Sequence, residues 1–411
     1  MSTQPTRINP ARLLADLREL ARFGACGTGV DRVSYSSADI EARQWLANRM
    51  REAGLDAHID RVGNVAGCTP GVSRAVVIGS HTDTVPRGGW LDGAMGVICG
   101  LEIARARIEQ GKTTGLGVDV GSFQDEEGTY LSCLGSRSFC GDLPEAELTA
   151  ARRPDGGEAL VEAIARAGYG GSAWTHDPAR HAAYLEVHIE QGPQLEAHNR
   201  RLGVVTGIVG IRRWRIHCRG QADHAGTTPM SMRRDAARAL IGIAHWVHAE
   251  VPRLAAAETV WNIGVMSVAP GAANVVPAEA SMVVEFRDTD LTVLDRIEAG
   301  LLAAVARADG PGGVNARAES IARSLPTLMD ERLVSACDDV ARALEAPSMR
   351  MVSGAGHDAM IIGRVLPSAM LFVPSIDGRS HDIVENTADA DIVLGCQALA
   401  ALVDRVETIT P

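Results

Sequence analysis

The sequence predicts an α/β fold: a split catalytic domain with a mainly parallel sheet and helices on both faces, plus an inserted α+β ferredoxin-like domain. Three observations predict it. Apolar runs such as Ala75-Val76-Val77-Ile78 and Leu116 to Phe123 alternate with capped helical stretches, the pattern of parallel strands joined by helices. Between 211 and 324 the order becomes strand, helix, two strands, helix, strand, a βαββαβ unit. After Pro326 the first style returns. The expected limits are 1–210, 211–324 and 325–411, the outer two forming one domain.

Asn9-Pro10 opens the first helix, with Asn as cap, Pro at the first helical position, and Leu13, Leu14, Leu17 and Leu20 on one stripe. Ser36 and Ser37 open a second, Ala38 to Ala53, stopped by Gly54. Residues 56–67 read as a strand with a turn at Gly63-Asn64, followed by a buried strand ending at His81. A helix from Ala94 to Gln110 and a strand from Leu116 to Phe123 come next. Residues 143–183 read as helices and loops broken by glycines, and Ala182 to His188 as a strand. In the inserted domain, strands are expected at 211–219, 259–268, 279–287 and 314–323, and helices at 231–249 and 291–308. The remainder reads as helix 331–344, strand Met349 to Val352, a Gly354-Ala355-Gly356 turn, a short helix after His357, strand Ala369 to Val373 and helix Thr387 to Val406.

Composition excludes several function classes. With 46% apolar and 22% charged residues the chain is that of a soluble globular protein, and with 4% aromatics its cores rest on Ala, Val, Leu and Ile. A net charge of −11 argues against nucleic-acid or anionic-membrane partners, because phosphate neutralisation needs clustered Lys and Arg. No apolar run approaches a membrane span, and Met1 to Pro5 carries no apolar signal core. The eight cysteines are scattered and form no CxxC pair, which excludes a zinc ribbon or thioredoxin motif. A cytoplasmic location is expected.

The chemistry concentrates at strand ends. In Gly79-Ser80-His81-Thr82-Asp83, the buried strand delivers His81 and Asp83 at its carboxyl end, where open α/β sheets place ligands. Asp83 suits the carboxylate that fixes a ligand histidine's tautomer, and Asp92 opens the next helix beside that strand end. The doublet Glu126-Glu127 follows another strand, so one carboxylate can bind a metal while its neighbour handles a proton. Alone, an acidic pair is more often simply solvated, and a strand-end histidine such as His188 is more often hydrogen-bonded in place. His381 lies in a loop after the Ala369–Val373 strand, again at a carboxyl end. Convergence changes the balance. His81, Asp92, Glu127, His188 and His381 make five nitrogen and oxygen ligands without a thiolate, which suits two divalent ions about 3.5–4 Å apart.

These motifs, with His188-Ile189-Glu190-Gln191-Gly192-Pro193, His224-Ala225-Gly226-Thr227-Thr228-Pro229-Met230 and Gly354-Ala355-Gly356-His357-Asp358-Ala359, resemble the M20 metallopeptidase superfamily over nearly the whole chain. The likeness is to its hydantoinase/carbamoylase-type amidases: N-carbamoyl-L-amino-acid hydrolases, allantoate amidohydrolases and β-ureidopropionases. It implies that His81 and His188 hold one metal, Glu127 and His381 the other, Asp92 bridges them and Glu126 is the general base. The metals would be Zn, Mn, Co or Ni, with Zn or Mn favoured. Position 188 is typically a carboxylate in the peptidase and aminoacylase branches, so a histidine there points to carbamoyl amides.

The resemblance also implies substrate residues. Arg287 would hold the substrate carboxylate, Asn274 would add a hydrogen bond to it, and His224 would donate to the developing oxyanion. Gln191 and the backbone at Gly356 would contact the ureido end. Many relatives carry Gln where this chain has Ile211, and Ala where it has Gly356. The implied reaction converts an N-carbamoyl-L-amino acid or related ureido acid to amino acid, CO2 and ammonia. The alternatives are an allantoate amidohydrolase, a β-ureidopropionase, an aminoacylase or dipeptidase on the same scaffold, or a non-catalytic binding protein. A homodimer formed through the inserted domain, which would also act as a lid, is implied as well.

Overall fold

The computed structural model describes residues 5–112, 115–310 and 313–409. Met1 to Gln4, part of the segment that carries no apolar signal core, lie outside the described residues. The chain divides into two compact units, Met1–Thr206 with Leu328–Pro411, and Gly207–Thr327.

The first unit opens with helix α1 (Pro10–Leu20), capped by the Asn9 side chain, which accepts from Arg12 N. Helix α2 (Ser37–Glu52) is capped by Ser36 in the same way. Where one strand with a turn is expected, there are two, β1 (Asp56–Ile59) and β2 (Val65–Cys68), paired antiparallel around the Asp60–Asn64 turn. The turn is held by the Asp60 carboxylate, which accepts from the backbone N–H groups of Val62, Gly63 and Asn64. Strand β3 (Arg74–His81), helix α3 (Ala94–Glu109) and strand β4 (Leu116–Phe123) follow. Three short helices come next, α4 (Leu134–Phe139), α5 (Glu145–Ala150) and α6 (Leu160–Ala167), then strands β5 (His181–Ile189) and β6 (Leu202–Ile208).

The second unit contains β7 (Gly210–Arg219), α7 (Ala236–Leu254), β8 (Val260–Ala269), β9 (Glu279–Asp288), α8 (Leu291–Ala308) and β10 (Asn315–Arg323). Its antiparallel sheet runs β8-β9-β7-β10. That is the order 2-3-1-4 of a βαββαβ unit. Every second residue of β9 is buried, so Met282, Val284 and Phe286, with Ile216 of β7, pack against Leu240, Ile243 and Val247 of α7 and Leu294, Ile297 and Leu301 of α8. Helix α7 begins five residues later than expected, because Asp235 is the capping residue and residues 230–232 form one 3-10 turn.

The first unit then resumes with α9 (Glu331–Ala343), β11 (Ser348–Ser353), α10 (Asp358–Ile362), β12 (Ser368–Val373) and α11 (Asp389–Ile409). The heart of its nine-stranded sheet is the run β12-β5-β3-β4, joined throughout by parallel pairing. Antiparallel β6 flanks it on one side, and antiparallel β2 then β1 on the other. The central strands are buried almost end to end, as parallel strands covered on both faces must be. Strand β6 and helix α4 are not anticipated from the sequence. Gly203 explains the first: a Cβ there would sit 2.6 Å from Met351 Sδ, so the strand needs a residue that reads as a loop signal.

Because β12, β5, β3 and β4 run parallel, their carboxyl ends lie along one edge of the sheet. There the chain leaves β3 at His81, β4 just before Gln124, β5 beside His188 and β12 ahead of the loop that carries His381.

Candidate metal centre and active site

His81 and His188 are both fixed through Nδ1. The His81 Nδ1–H donates to the main-chain carbonyl of Asp83 at 2.9 Å, and that of His188 to the carbonyl of Ile189 at 2.9 Å. With Nδ1 committed as the donor, each ring turns Nε2 toward the cluster. Asp83 therefore orients His81 through its backbone, its carboxylate standing 4.0 Å away. That carboxylate instead faces Arg43 at 3.4 Å and accepts from Glu127 N at 3.3 Å. Arg43 is fully buried and also pairs with Asp39 at 2.8 Å. It is a counter-charge behind the cluster that the sequence reading missed.

Asp92 stands between the rings. Its Oδ1 lies 3.1 Å from His188 Nε2 and 3.7 Å from His81 Nε2, while Oδ2 lies 3.2 Å from His381 Nε2. His381 Nε2 is in turn 3.6 Å from Glu127 Oε1, and His81 Nε2 is 3.7 Å from Glu126 Oε2. Two ligand sets result, His81–Asp92–His188 and Asp92–Glu127–His381, sharing one carboxylate. Ligands about 2.0–2.1 Å from a tetrahedral ion lie about 3.3 Å apart, so the spacing fits a common ion in each set. The donor chemistry, imidazole and carboxylate without thiolate, accepts Zn, Mn, Co or Ni.

Backbone geometry serves this clustering. Gly93 has φ 64°, and a Cβ on it would lie 2.5 Å from the His81 ring. Asp125, Gln191 and His381 are non-glycine residues held at φ 57°, 57° and 54°. Asp125 secures the loop carrying Glu126 and Glu127 by accepting from the N–H groups of Thr129, Tyr130 and Leu131. Glu385, also missed from the sequence, accepts from Leu91 N, Asp92 N and Ser380 Oγ, tying the Asp92 turn to the His381 loop. Its signal, the second acid in Asp382-Ile383-Val384-Glu385, is indistinguishable from a surface residue without the fold.

Crowding shifts the proton affinities. Burial works against the Asp92 carboxylate, but hydrogen bonds to His188 and His381 hold its pKa well below the usual range. Burial lowers that of His188, yet Asp92 lifts it to about 9; the Asp92 hydrogen bond also lifts His381 to about 9. Burial, then the Asp92 charge, raises Glu127 to about 8. Burial and the neighbouring Glu127 push Glu126 well above the ordinary carboxylate value. A bound cation would take the place of these protons.

Gln191 sits in the same cluster, its Nε2 donating to Asp92 Oδ2 at 2.9 Å, and Gly356 lies half-buried in the turn before α10. The remaining candidates belong to the second unit. Residues Asp223–His224 pair antiparallel with Val275–Val276, and Ala225 N donates to the Asn274 carbonyl at 2.9 Å, which brings His224 and Asn274 together. His224 Nδ1 accepts from Gly226 N and Thr227 N, so its proton is on Nε2. Arg287, on β9, uses Nε and Nη2 to hold Glu285 Oε1, both at 2.7 Å, and Arg213 holds the other oxygen of Glu285. Glu285 is a third missed residue.

Residues 77–405 match the model of peptidase family M20/M25/M40. The chain belongs to the M20 family. An N-carbamoyl-L-amino-acid amidohydrolase of Paenarthrobacter aurescens is 36% identical over 96% of this chain and 98% of its own length. An allantoate amidohydrolase of Bacillus subtilis is 34% identical over 94% and 95%. Among solved structures, an amidase of the hydantoinase/carbamoylase family from Burkholderia phymatum superposes with a TM-score of 0.91 at 46% identity, covering 99% of this chain and 100% of that one. This M20 protein is thus an amidohydrolase of the carbamoylase or allantoate amidohydrolase kind, a hydrolase acting on C–N amide bonds. Among the described residues no helix is long and apolar enough to cross a membrane.

Proposed function

We propose that the protein is a dinuclear amidohydrolase that cleaves the carbamoyl amide of N-carbamoyl-L-amino acids. The observation that carries this reading is Asp92, one oxygen facing His188 and His81 and the other facing His381. His188, where acyl- and peptide-cleaving branches typically carry a carboxylate, favours a carbamoyl substrate, as does the 36% identical relative. His81 and His188 would hold one divalent cation, Glu127 and His381 the other, with Asp92 shared. Bound there, the pair would supply Lewis acidity toward the carbonyl and acidify a water.

The chain's own residues do the rest. Glu126, kept basic by burial and by Glu127, takes the proton of the attacking water. His224 donates its Nε2–H to the carbonyl oxygen as it gains charge. Arg287 turns its guanidinium to the substrate carboxylate, its Nε and Nη2 edge being steadied by Glu285. Asn274 adds a hydrogen bond there, and Gln191 with the Gly356 backbone meets the ureido end. Glu126 then returns its proton to the leaving nitrogen. The C–N bond breaks to give amino acid and carbamate, which decays to CO2 and ammonia.

The same reading includes a homodimer through the second unit, which would close as a lid. Support comes from β8, an edge strand whose Val260, Val265, Met266 and Val268 are exposed. Sedimentation of wild type against Met266→Lys checks it: a dimer that the lysine splits is expected, and a wild-type monomer contradicts it. All eight cysteines are free thiols, which supports a reducing compartment, the cytoplasm. A second reading, allantoate hydrolysis, is favoured by the 34% identical relative. Ammonia release from a panel of N-carbamoyl amino acids, allantoate and N-carbamoyl-β-alanine, with Mn or Zn added, decides between them. Turnover confined to allantoate would overturn the first reading.

A further inference from the structure

His224 is exposed, on the second unit's loop from Asp223 to Pro229, so packing does little to hold its ring. Hydrogen bonds do it instead. Thr228 N closes the turn on the His224 carbonyl at 3.1 Å, and Gly226 N and Thr227 N grip the ring at Nδ1, at 3.0 and 3.1 Å. Arg233 completes the set. Its Nε donates to the Thr228 carbonyl at 3.0 Å and its Nη2 to the Ala225 carbonyl. Those two carbonyls bracket Gly226 and Thr227, the pair whose N–H groups hold the imidazole. The chain around Arg233 is itself anchored. Gln221 N donates to the Arg234 carbonyl at 2.8 Å, Ala236 N to the Pro277 carbonyl at 3.1 Å, and Asp235 caps α7. A guanidinium offers its donors in a rigid planar fork, so from that footing it can set the spacing of two carbonyls, whereas an ammonium has no such fork.

We propose that Arg233 is a positioning residue for the reaction. By clamping the Ala225 and Thr228 carbonyls it fixes the Gly226–Thr227 N–H pair, and through that pair the direction in which His224 presents its Nε2–H. The inference rests on the oxyanion role given to His224 above. Arg233 acts through the turn, not on the substrate. With the clamp removed, the turn keeps its backbone closure at Thr228 N but loses the one side chain that ties its two ends together. The ring then swings with the turn. A donor displaced by about 1 Å can cost on the order of 10²-fold in rate, so the clamp should be read in kcat. Substrate binding through Arg287 and cation binding in the first unit do not pass through this turn.

The test compares His224→Ala, Arg233→Ala, Arg233→Lys and the double variant His224→Ala/Arg233→Ala, each metal-loaded, on the N-carbamoyl-L-amino acid that the wild type turns over best. His224→Ala should lose about 10²–10³-fold in kcat, the usual cost of removing an oxyanion donor. Arg233→Ala should lose roughly 10–100-fold in kcat, with KM and cation content little changed, and millimolar guanidinium should restore part of the loss. Arg233→Lys, which keeps the charge without the fork, should lose less, and it carries the same comparison if the alanine variant does not fold. In the double variant the Arg233 change should cost almost nothing beyond His224→Ala, because a clamp without its donor has nothing to aim. Full kcat in the Arg233 variants, or a loss that adds in full to that of His224→Ala, overturns the clamp alone. Full kcat in His224→Ala overturns the oxyanion role and the clamp with it.

Discussion

Gly93 sets the tolerance of the cluster at the scale of single residues. Its left-handed backbone and the 2.5 Å gap a Cβ would have to the His81 ring leave no room for alanine. Gly93→Ala should displace His81 and weaken cation binding roughly 10–100-fold, the usual cost of disturbing a ligand's support, read by metal titration. Glu126 differs in kind: it stands 3.7 Å from His81 Nε2 but is not needed for either Asp92-sharing set. Glu126→Gln should keep both cations and lose about 10²–10⁴-fold in kcat; an unchanged kcat would remove it from the base role. Arg287→Ala should raise KM for carboxylate-bearing substrates roughly 30-fold, about 2 kcal/mol for a charged hydrogen-bonded pair, with kcat much less affected. Equal loss on uncharged amides would contradict the anchor role. Residues at strand ends, such as His81 and His188, were legible in the sequence because an apolar run points at them. Arg43, Glu285 and Glu385 were not, since the contacts that give them a role, with Asp83, Arg213 and Asp92 N, lie 40, 72 and 293 positions away in the chain.

Between elements, two loops do the positioning. Glu385 bridges the turn before α3 and the loop after β12, accepting from Leu91 N, Asp92 N and Ser380 Oγ. Glu385→Gln should loosen His381 more than His81 or His188, which are fixed independently through Nδ1. Because Asp92 serves both sets, metal titration of that variant should show both sites weakened, the Glu127–His381 site the more so; two equally weakened sites would place Glu385 in general stability instead. The elements themselves were mostly readable: the caps Asn9 and Ser36 and the buried run before His81 fall where the pattern puts them. The exceptions have physical reasons. Strand β6 is punctuated by Gly203 and Gly207, which imitate loop signals. The β1–β2 turn is made by one carboxylate, Asp60, whose role appears only in three dimensions. Helix α7 starts at its true cap, Asp235, although helix-forming residues precede it.

Over the whole molecule, the sheet gathers carboxylates and imidazoles that share protons until cations displace them. His188 and His381 near 9 and Glu127 near 8 keep their protons below those values. Cations require the bare forms, so affinity should rise with pH from 6 to about 9 and level off above, with protons released on binding at pH 7. Calorimetry in two buffers of different ionisation enthalpy reads this directly; pH-independent affinity without proton release would contradict it. The α/β class and the βαββαβ order of the second unit followed from alternation alone. The assignment of His81, His188, His381 and Asp92 to one domain and of His224, Asn274 and Arg287 to the other was likewise legible; the distances around Asp92 needed the fold.

The most direct test of the central claim is an anomalous-difference map from crystals grown with manganese or zinc. Two peaks about 3.5–4 Å apart are expected, one on each side of Asp92, the first touching His81 and His188 and the second Glu127 and His381. A single peak, or peaks away from Asp92, would contradict it.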